Sequence, residues 1–319
     1  MTISRRMFLQ GGAALPLALA AGPAIARAAP ARTGFAQVPG GRIWWRMDGS
    51  GPKTPLLLLH GGPGTGHDYL EPLAALATQR PVIFYDQLGC GRSDRPDDPS
   101  LWTPARFVKE IDALRAALGL DRILLYGHSW GGWLAQDYMR QSPGAASVDA
   151  LVLASTSASA AQFTAGAARL LAALPDGMDA TRHRLEAAGQ TDTPAYQAIV
   201  QAFYDRHLVH LDPLPAYAQR AFANLASSRT YPAMNGPNEF TVTGTLRGWD
   251  AEAALGRIKV PTLVLSGELD EFTPDCHETL HRGIVGSQLV VLSQARHLAM
   301  VDRPAAYVAV LRDFLAPFA

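Results

Sequence analysis

Tyr126-Gly127-His128-Ser129-Trp130-Gly131-Gly132 stands between an apolar run, residues 122–126, and a stretch with helical apolar spacing, residues 130–140. A G-x-S-x-G pattern at a strand-to-helix junction is the mark of a nucleophile elbow. In such a turn, side chains two before and two after the serine would strike neighbouring backbone. Gly127 and Gly131 remove that conflict, so the Ser129 hydroxyl is expected at the tip of the turn, at the positive end of a helix.

The surroundings of this turn repeat its rhythm. Residues 55–60, 81–86, 122–126 and 150–153 are short runs that are apolar throughout, as strands covered on both faces require. Residues 104–118 and 130–140 read as helices between them, and residues 36–47, with Pro39-Gly40-Gly41 in the middle, read as a hairpin. From 157 to 250 the pattern changes to Ala-rich helical stretches broken by prolines. Strand and helix then alternate again: strands at 260–266 and 288–292, helices at 274–282 and 304–315. The expected fold is therefore α/β: a mostly parallel central sheet flanked by helices, formed by residues 34–156 and 251–319. A helical cap, 157–250, is inserted over the carboxyl ends of its strands.

A serine hydroxyl needs a base, and the base needs an acid that fixes its tautomer. With the serine on an elbow, the chain order is Ser, then Asp or Glu, then His. Asp270, just past one strand, and His297, in the loop after the next, satisfy it. The rival bases His60 and His128 precede the acid and read as structural, as do His183, His207 and His210. His60-Gly61-Gly62-Pro63-Gly64 follows the first central strand, so the amides of Gly62 and Trp130 are candidates for an oxyanion hole. His277, Glu278 and His281 spell H-E-x-x-H, but no Glu follows Glu278 and the next His is already needed by Ser129. The motif is read as a solvated helix face rather than a zinc site, and no cofactor is expected.

Composition narrows the partners. Lys and Arg number 28, balanced by 28 Asp and Glu, so nothing favours nucleic acid or an anionic membrane surface. Residues 1–28 resemble a twin-arginine signal: Ser4-Arg5-Arg6-Met7-Phe8-Leu9, a weakly apolar stretch, then Ala26-Arg27-Ala28. Its glycines and prolines argue against a stable membrane span, and a periplasmic or secreted protein is expected. Cys90 and Cys276 are too few for a disulfide scaffold; two free thiols are the simpler expectation, although an oxidising compartment would permit a bridge.

Five segments together resemble the proline iminopeptidase family of serine peptidases, within the α/β-hydrolase fold. They are His60-Gly61-Gly62-Pro63-Gly64, Tyr85-Asp86-Gln87-Leu88-Gly89-Cys90-Gly91-Arg92-Ser93, the elbow, Met234-Asn235-Gly236-Pro237-Asn238-Glu239-Phe240, and Gly267-Glu268-Leu269-Asp270-Glu271. The resemblance implies that Glu239 and Glu271 grip a substrate's free α-ammonium group. It implies a serine hydrolase that releases N-terminal residues, proline or other small apolar ones, from short peptides or amino-acid amides. A carboxylesterase or lactonase with the same triad is the alternative within enzymes, and a degenerate hydrolase that binds a ligand is the alternative outside them. The oligomeric state stays open.

Overall fold

The computed structural model describes residues 31–319, and the signal-like segment 1–28 lies outside the described residues. In chain order the elements are β1 (Arg32–Val38), β2 (Gly41–Asp48), β3 (Leu56–Leu59), β4 (Val82–Tyr85), α1 (Pro104–Leu118), β5 (Ile123–His128), α2 (Trp130–Gln141) and β6 (Val148–Ala154). Five helices follow: α3 (Ala160–Ala172), α4 (Met178–Ala187), α5 (Pro194–His207), α6 (Ala216–Ala226) and α7 (Thr230–Met234). The chain closes with β7 (Thr262–Gly267), α8 (Pro274–Gly283), β8 (Gln288–Leu292), α9 (Ala299–Asp302) and α10 (Pro304–Leu315).

The eight strands form one sheet in the order β1-β2-β4-β3-β5-β6-β7-β8. The β1–β2 hairpin and the β2–β4 pair are antiparallel; every other pair is parallel. Alternate residues of the central strands feed two separate cores. Leu57, Leu59, Ile83 and Leu125 pack on one face, and Leu56, Leu58, Phe84 and Leu124 on the other. The apolar runs lack an alternating pattern because both faces are covered.

The helices α3 to α7 leave and rejoin the sheet at one point. Ala251 N–H donates to the Ala158 carbonyl at 2.8 Å and Ala160 N–H to the Trp249 carbonyl at 3.0 Å, so the two ends of the insertion are hydrogen-bonded to each other. The insertion carries its own small core around Leu171, Tyr196, Ile199 and Phe203. Its α6 is tied to a 3-10 segment, Asp68–Thr78, by Arg220, which pairs with Asp68 and Glu71, each at 2.7 Å. That segment has no clear helical signature in the sequence, since Pro72 sits inside it. No helix among the described residues is long and apolar enough to cross a membrane.

One buried acid locks the two loops that leave β3 and β4. Asp86 Oδ1 accepts from the His67 amide at 2.9 Å and from His67 Nδ1 at 2.7 Å; Oδ2 accepts from the Arg92 amide at 2.9 Å. Burial opposes ionisation of Asp86, but the hydrogen bonds from His67 and Arg92 win and hold its carboxyl below the usual range. A Cβ at Gly91 would come within 2.2 Å of Asp86 Oδ2. The Asp86-to-Gly91 spacing in the sequence is therefore a packing requirement. Asp86→Ala is expected to lower stability by about 3 kcal/mol, because the buried His67 amide and ring and the part-buried Arg92 amide lose their acceptor. A urea midpoint shift worth less than about 1 kcal/mol would show that this loop is held by other means.

Candidate active site

Ser129 sits at φ 57°, ψ −125°, ahead of the first turn of α2. This is a conformation that a non-glycine residue adopts only when its surroundings hold it. A Cβ on Gly127 would lie 2.2 Å from the Gly131 carbonyl oxygen, and one on Gly131 would lie 2.1 Å from the Leu59 carbonyl oxygen. The elbow's glycines are thus fixed by backbone on both sides of the turn. The Ser129 amide donates to the Ala154 carbonyl at 3.0 Å, and its carbonyl accepts from the Gly132 amide at 2.8 Å and the Thr156 hydroxyl at 2.9 Å. Gly62, at φ +108°, lines the cavity above Ser129 together with Trp130. Trp130 opens α2, where its amide has no acceptor within the helix. Gly62 and Trp130 thus border the same cavity as Ser129.

His297 Nδ1 donates to Asp270 Oδ1 at 3.0 Å. Its Nε2 lies 3.5 Å from Glu271 Oε1, and its ring lines one cavity with Ser129 and Glu239. The amide of Phe272 also donates to Asp270 Oδ1, at 3.0 Å. Glu239 Oε1 accepts from the Tyr231 hydroxyl at 2.8 Å. Neither oxygen of Glu271 has a hydrogen-bond partner, although the residue is fully buried. All five sequence candidates that carry functional side chains, Ser129, Asp270, His297, Glu239 and Glu271, are therefore brought together.

Their electrostatics follow from crowding. Burial pushes the carboxyls of Glu271 and Glu239 above the usual range, with His297 pulling each down and the two acids repelling one another at Glu271. Asp270 moves the other way: burial opposes its ionisation, and His297 more than offsets that. For His297 itself, burial disfavours the charged ring, but Glu271 and Asp270 outweigh burial and raise it to about 9. His297, Asp270, Glu239 and Glu271 are therefore a coupled set that titrates together.

A hydrogen-bond chain behind the site was not legible in the sequence. The His297 carbonyl can only accept, so His128 Nε2, 3.0 Å away, must donate to it. Burial drives His128 down to about 3, with the charge of His297 adding to the effect. The ring stays neutral, and its bare Nδ1 accepts from the Tyr69 hydroxyl at 2.9 Å. The Tyr69 oxygen in turn accepts from the Gly61 amide at 2.7 Å. Glycine loop, elbow and base are thus tied in one direction of donation. His60 is likewise neutral, lowered to about 4 by burial, and spends Nε2 on the Gln87 amide at 3.0 Å.

The second cavity beside Ser129 is walled by Trp133, Phe163, Phe272 and Leu246. Phe163 stacks on Phe272 at 4.3 Å, and Trp133 on Trp249 at 4.6 Å. These aromatics come from four separate segments, so no local motif announces them. Cys90 and Cys276 are buried free thiols. The H-E-x-x-H reading needs a correction. Glu278, paired with Arg282, and His281, with Ser287, do lie at the surface, but His277 is buried behind Asp270 with Nε2 unpartnered. The segment's burial follows the face that α8 turns to the sheet. Among the described residues, only His67, Asp68 and Glu71 bring three ligand atoms within 4.8 Å of one another, and there Arg220 and Asp86 already pair with them.

Residues 54–304 match the family described as the alpha/beta hydrolase fold. The chain is 38% identical over 285 residues to a proline iminopeptidase of Saccharolobus solfataricus, covering 88% of this chain and 91% of that protein. Among solved structures, VinJ superposes with a TM-score of 0.85 at 36% identity, covering 90% of this chain and 99% of VinJ. The proline iminopeptidase of Mycobacterium smegmatis superposes with a TM-score of 0.84 at 34% identity, covering 90% and 98%.

Two outcomes test this geometry. His128→Phe is expected to lower kcat about tenfold or more with little change in KM, because the His297 loop loses its tether. His128→Gln, which keeps a donor, should recover part of the loss; equal damage in both variants would reduce His128 to a packing residue. In the pH profile of kcat/KM, which reports the free enzyme, the acid limb should lie well above the ordinary histidine range, towards about 9. Glu271→Gln removes a charge that favours the imidazolium, so it should shift that limb downward by about one unit or more. An unmoved limb would exclude the His297–Glu271 pairing.

Proposed function

Because this chain belongs to the proline iminopeptidase family of α/β-hydrolases, we propose that it is a serine aminopeptidase. Its substrates are short peptides or amino-acid amides whose first residue is proline or another small apolar residue. The observation that carries this reading is the placement of Glu239 in the aromatic-walled cavity beside Ser129, with Glu271, which makes no hydrogen bond, against His297. Buried carboxyl groups are costly without a cation. A substrate α-ammonium supplies one and sets the distance from the chain's first nitrogen to the scissile carbonyl. The slot between Phe163, Phe272 and Trp133 then receives the first side chain, and its apolar walls favour a compact apolar ring. A general esterase has no use for such acids.

In the mechanism, the ammonium enters between Glu239 and Glu271 and neutralises them, which releases His297 from its ion pair and lowers its affinity for a proton. Neutral His297 takes the Ser129 proton through Nε2 as Oγ attacks the carbonyl. Asp270 holds Nδ1–H and stabilises the imidazolium that forms. The amides of Gly62 and Trp130 donate to the oxyanion. Collapse of the tetrahedral intermediate breaks the C–N bond, and the proton on His297 passes to the leaving amine. Water then attacks the acyl-enzyme with His297 again as base, and the proton returns to Ser129.

Anilides of proline, alanine and phenylalanine, each with a free and an acetylated amine, test the reading. Turnover is expected only with the free amine, and Ser129→Ala should abolish it while the protein stays folded. Hydrolysis of the acetylated forms at a similar rate would replace the aminopeptidase by a general esterase or amidase. The twin-arginine segment further motivates a proposal of export. Replacing Arg5 and Arg6 by Lys should retain the protein in the cytoplasm on fractionation; unchanged distribution would remove that proposal.

A further inference from the structure

A groove of about 750 Å³ opens between α5 and α6, away from the aromatic slot. Tyr204, Leu208, Leu211 and Phe222 give it an apolar floor, and Asp205 and Asp212 stand in its wall; no Lys or Arg is among the residues that line it. Leu208 and Phe222 are shared: they also line the cavity that contains Ser129 and His297. The groove therefore shares a wall with the catalytic cavity, and Leu208 and Phe222 are the side chains that stand between them.

Two cavities meet at Ser129, and Gly62 and Glu239 line both of them. His297 lines the cavity bounded by Leu208, Ala221 and Phe222, and does not line the slot of Trp133, Phe163 and Phe272. The departing amine receives its proton from His297, so it must lie on the side that His297 lines. The first side chain of the acyl half takes the aromatic slot, and Glu239, which lines both cavities, holds the ammonium where they meet. From the reading above, on which this inference rests, we propose that the groove between α5 and α6 binds the leaving half of the substrate: the apolar residues that follow the scissile bond.

The wall chemistry sets a preference within that class. A leaving residue that ends in a free carboxylate would bring a negative charge towards Asp205 and Asp212, with His210, 3.9 Å from Asp205, as the one basic side chain among the groove's lining residues. An amide, or a longer peptide whose carboxylate clears the groove, avoids this. The amine created by cleavage becomes an ammonium at neutral pH, and the same two aspartates favour its departure along the groove.

The experiment uses the full enzyme and the first residue X that it prefers, as X-amide, X-Ala, X-Ala-amide and X-Ala-Ala-amide. kcat/KM is expected to rise about tenfold from X-amide to X-Ala-Ala-amide as apolar surface enters the groove. X-Ala should fall about fivefold below X-Ala-amide, and Asp205→Asn with Asp212→Asn should close that gap. Gln219→Trp or Gln201→Trp, both exposed residues of the groove wall, should bring the long-to-short ratio close to one. A flat length dependence in the unaltered enzyme, or a ratio that survives both tryptophans, overturns the proposal. If none of the four free-amine substrates is cleaved, the aminopeptidase reading itself has failed, an outcome distinct from cleavage without length dependence.

Discussion

The strained turn at Ser129 is the constraint on which the rest of the structure depends. Its left-handed backbone persists because the Gly131 and Leu59 carbonyls and the Ala154 backbone close on it from three sides. Such a conformation costs about 1–3 kcal/mol, which only a rigid frame can sustain. The frame is the central sheet: β3, β5 and β6 are adjacent, parallel and buried on both faces. The core therefore serves the site directly, because loosening the strands would let the turn relax and take the hydroxyl with it.

Around that fixed hydroxyl, charge is arranged at a cost. Three carboxyl groups and one imidazole share a volume from which water is largely excluded. Asp270 has one oxygen satisfied, Oδ1, by His297 and by the Phe272 amide. Glu271 is not satisfied at all by hydrogen bonds. A buried acid with no partner is a poor contribution to stability and a good one to recognition, since the site gains most by taking in a cation. The same acids raise the proton affinity of His297, so the charge taken into this volume and the state of the base are coupled.

The helical insertion shares in this arrangement through its backbone. The amides of His297 and Leu298 each donate at 2.9 Å to the carbonyls of His207 and Leu208, at the end of α5. The base is thus suspended between the insertion on one side and His128, through its own carbonyl, on the other. Leu208 is at once an anchor for the base's loop and a wall of both the catalytic cavity and the outer groove. Movement of the insertion would alter the position of His297 as well as access to it.

The sequence by itself determined the elbow, the apolar strands and the order of Ser129, Asp270 and His297, because each rests on short-range rules: steric clash at a tight turn, the covering of both faces of a sheet, and the loops in which a strand–helix repeat places polar residues. The helix limits 104–118 and 304–315 and the strand 288–292 were legible for the same reason, with proline fixing where both helices begin. Tertiary structure alone decided the rest. The Gly61–Tyr69–His128–His297 chain, the aromatic slot, the contact of Glu271 with His297 and the burial of His277 all join residues from separate elements. The H-E-x-x-H pattern does not record that His277 lies on the buried side of α8, nor does any motif record which oxygen of an acid is left without a donor. Those are fixed only when the insertion packs against the sheet, since a hydrogen bond or a buried charge depends on distances of a few tenths of an ångström between distant parts of the chain.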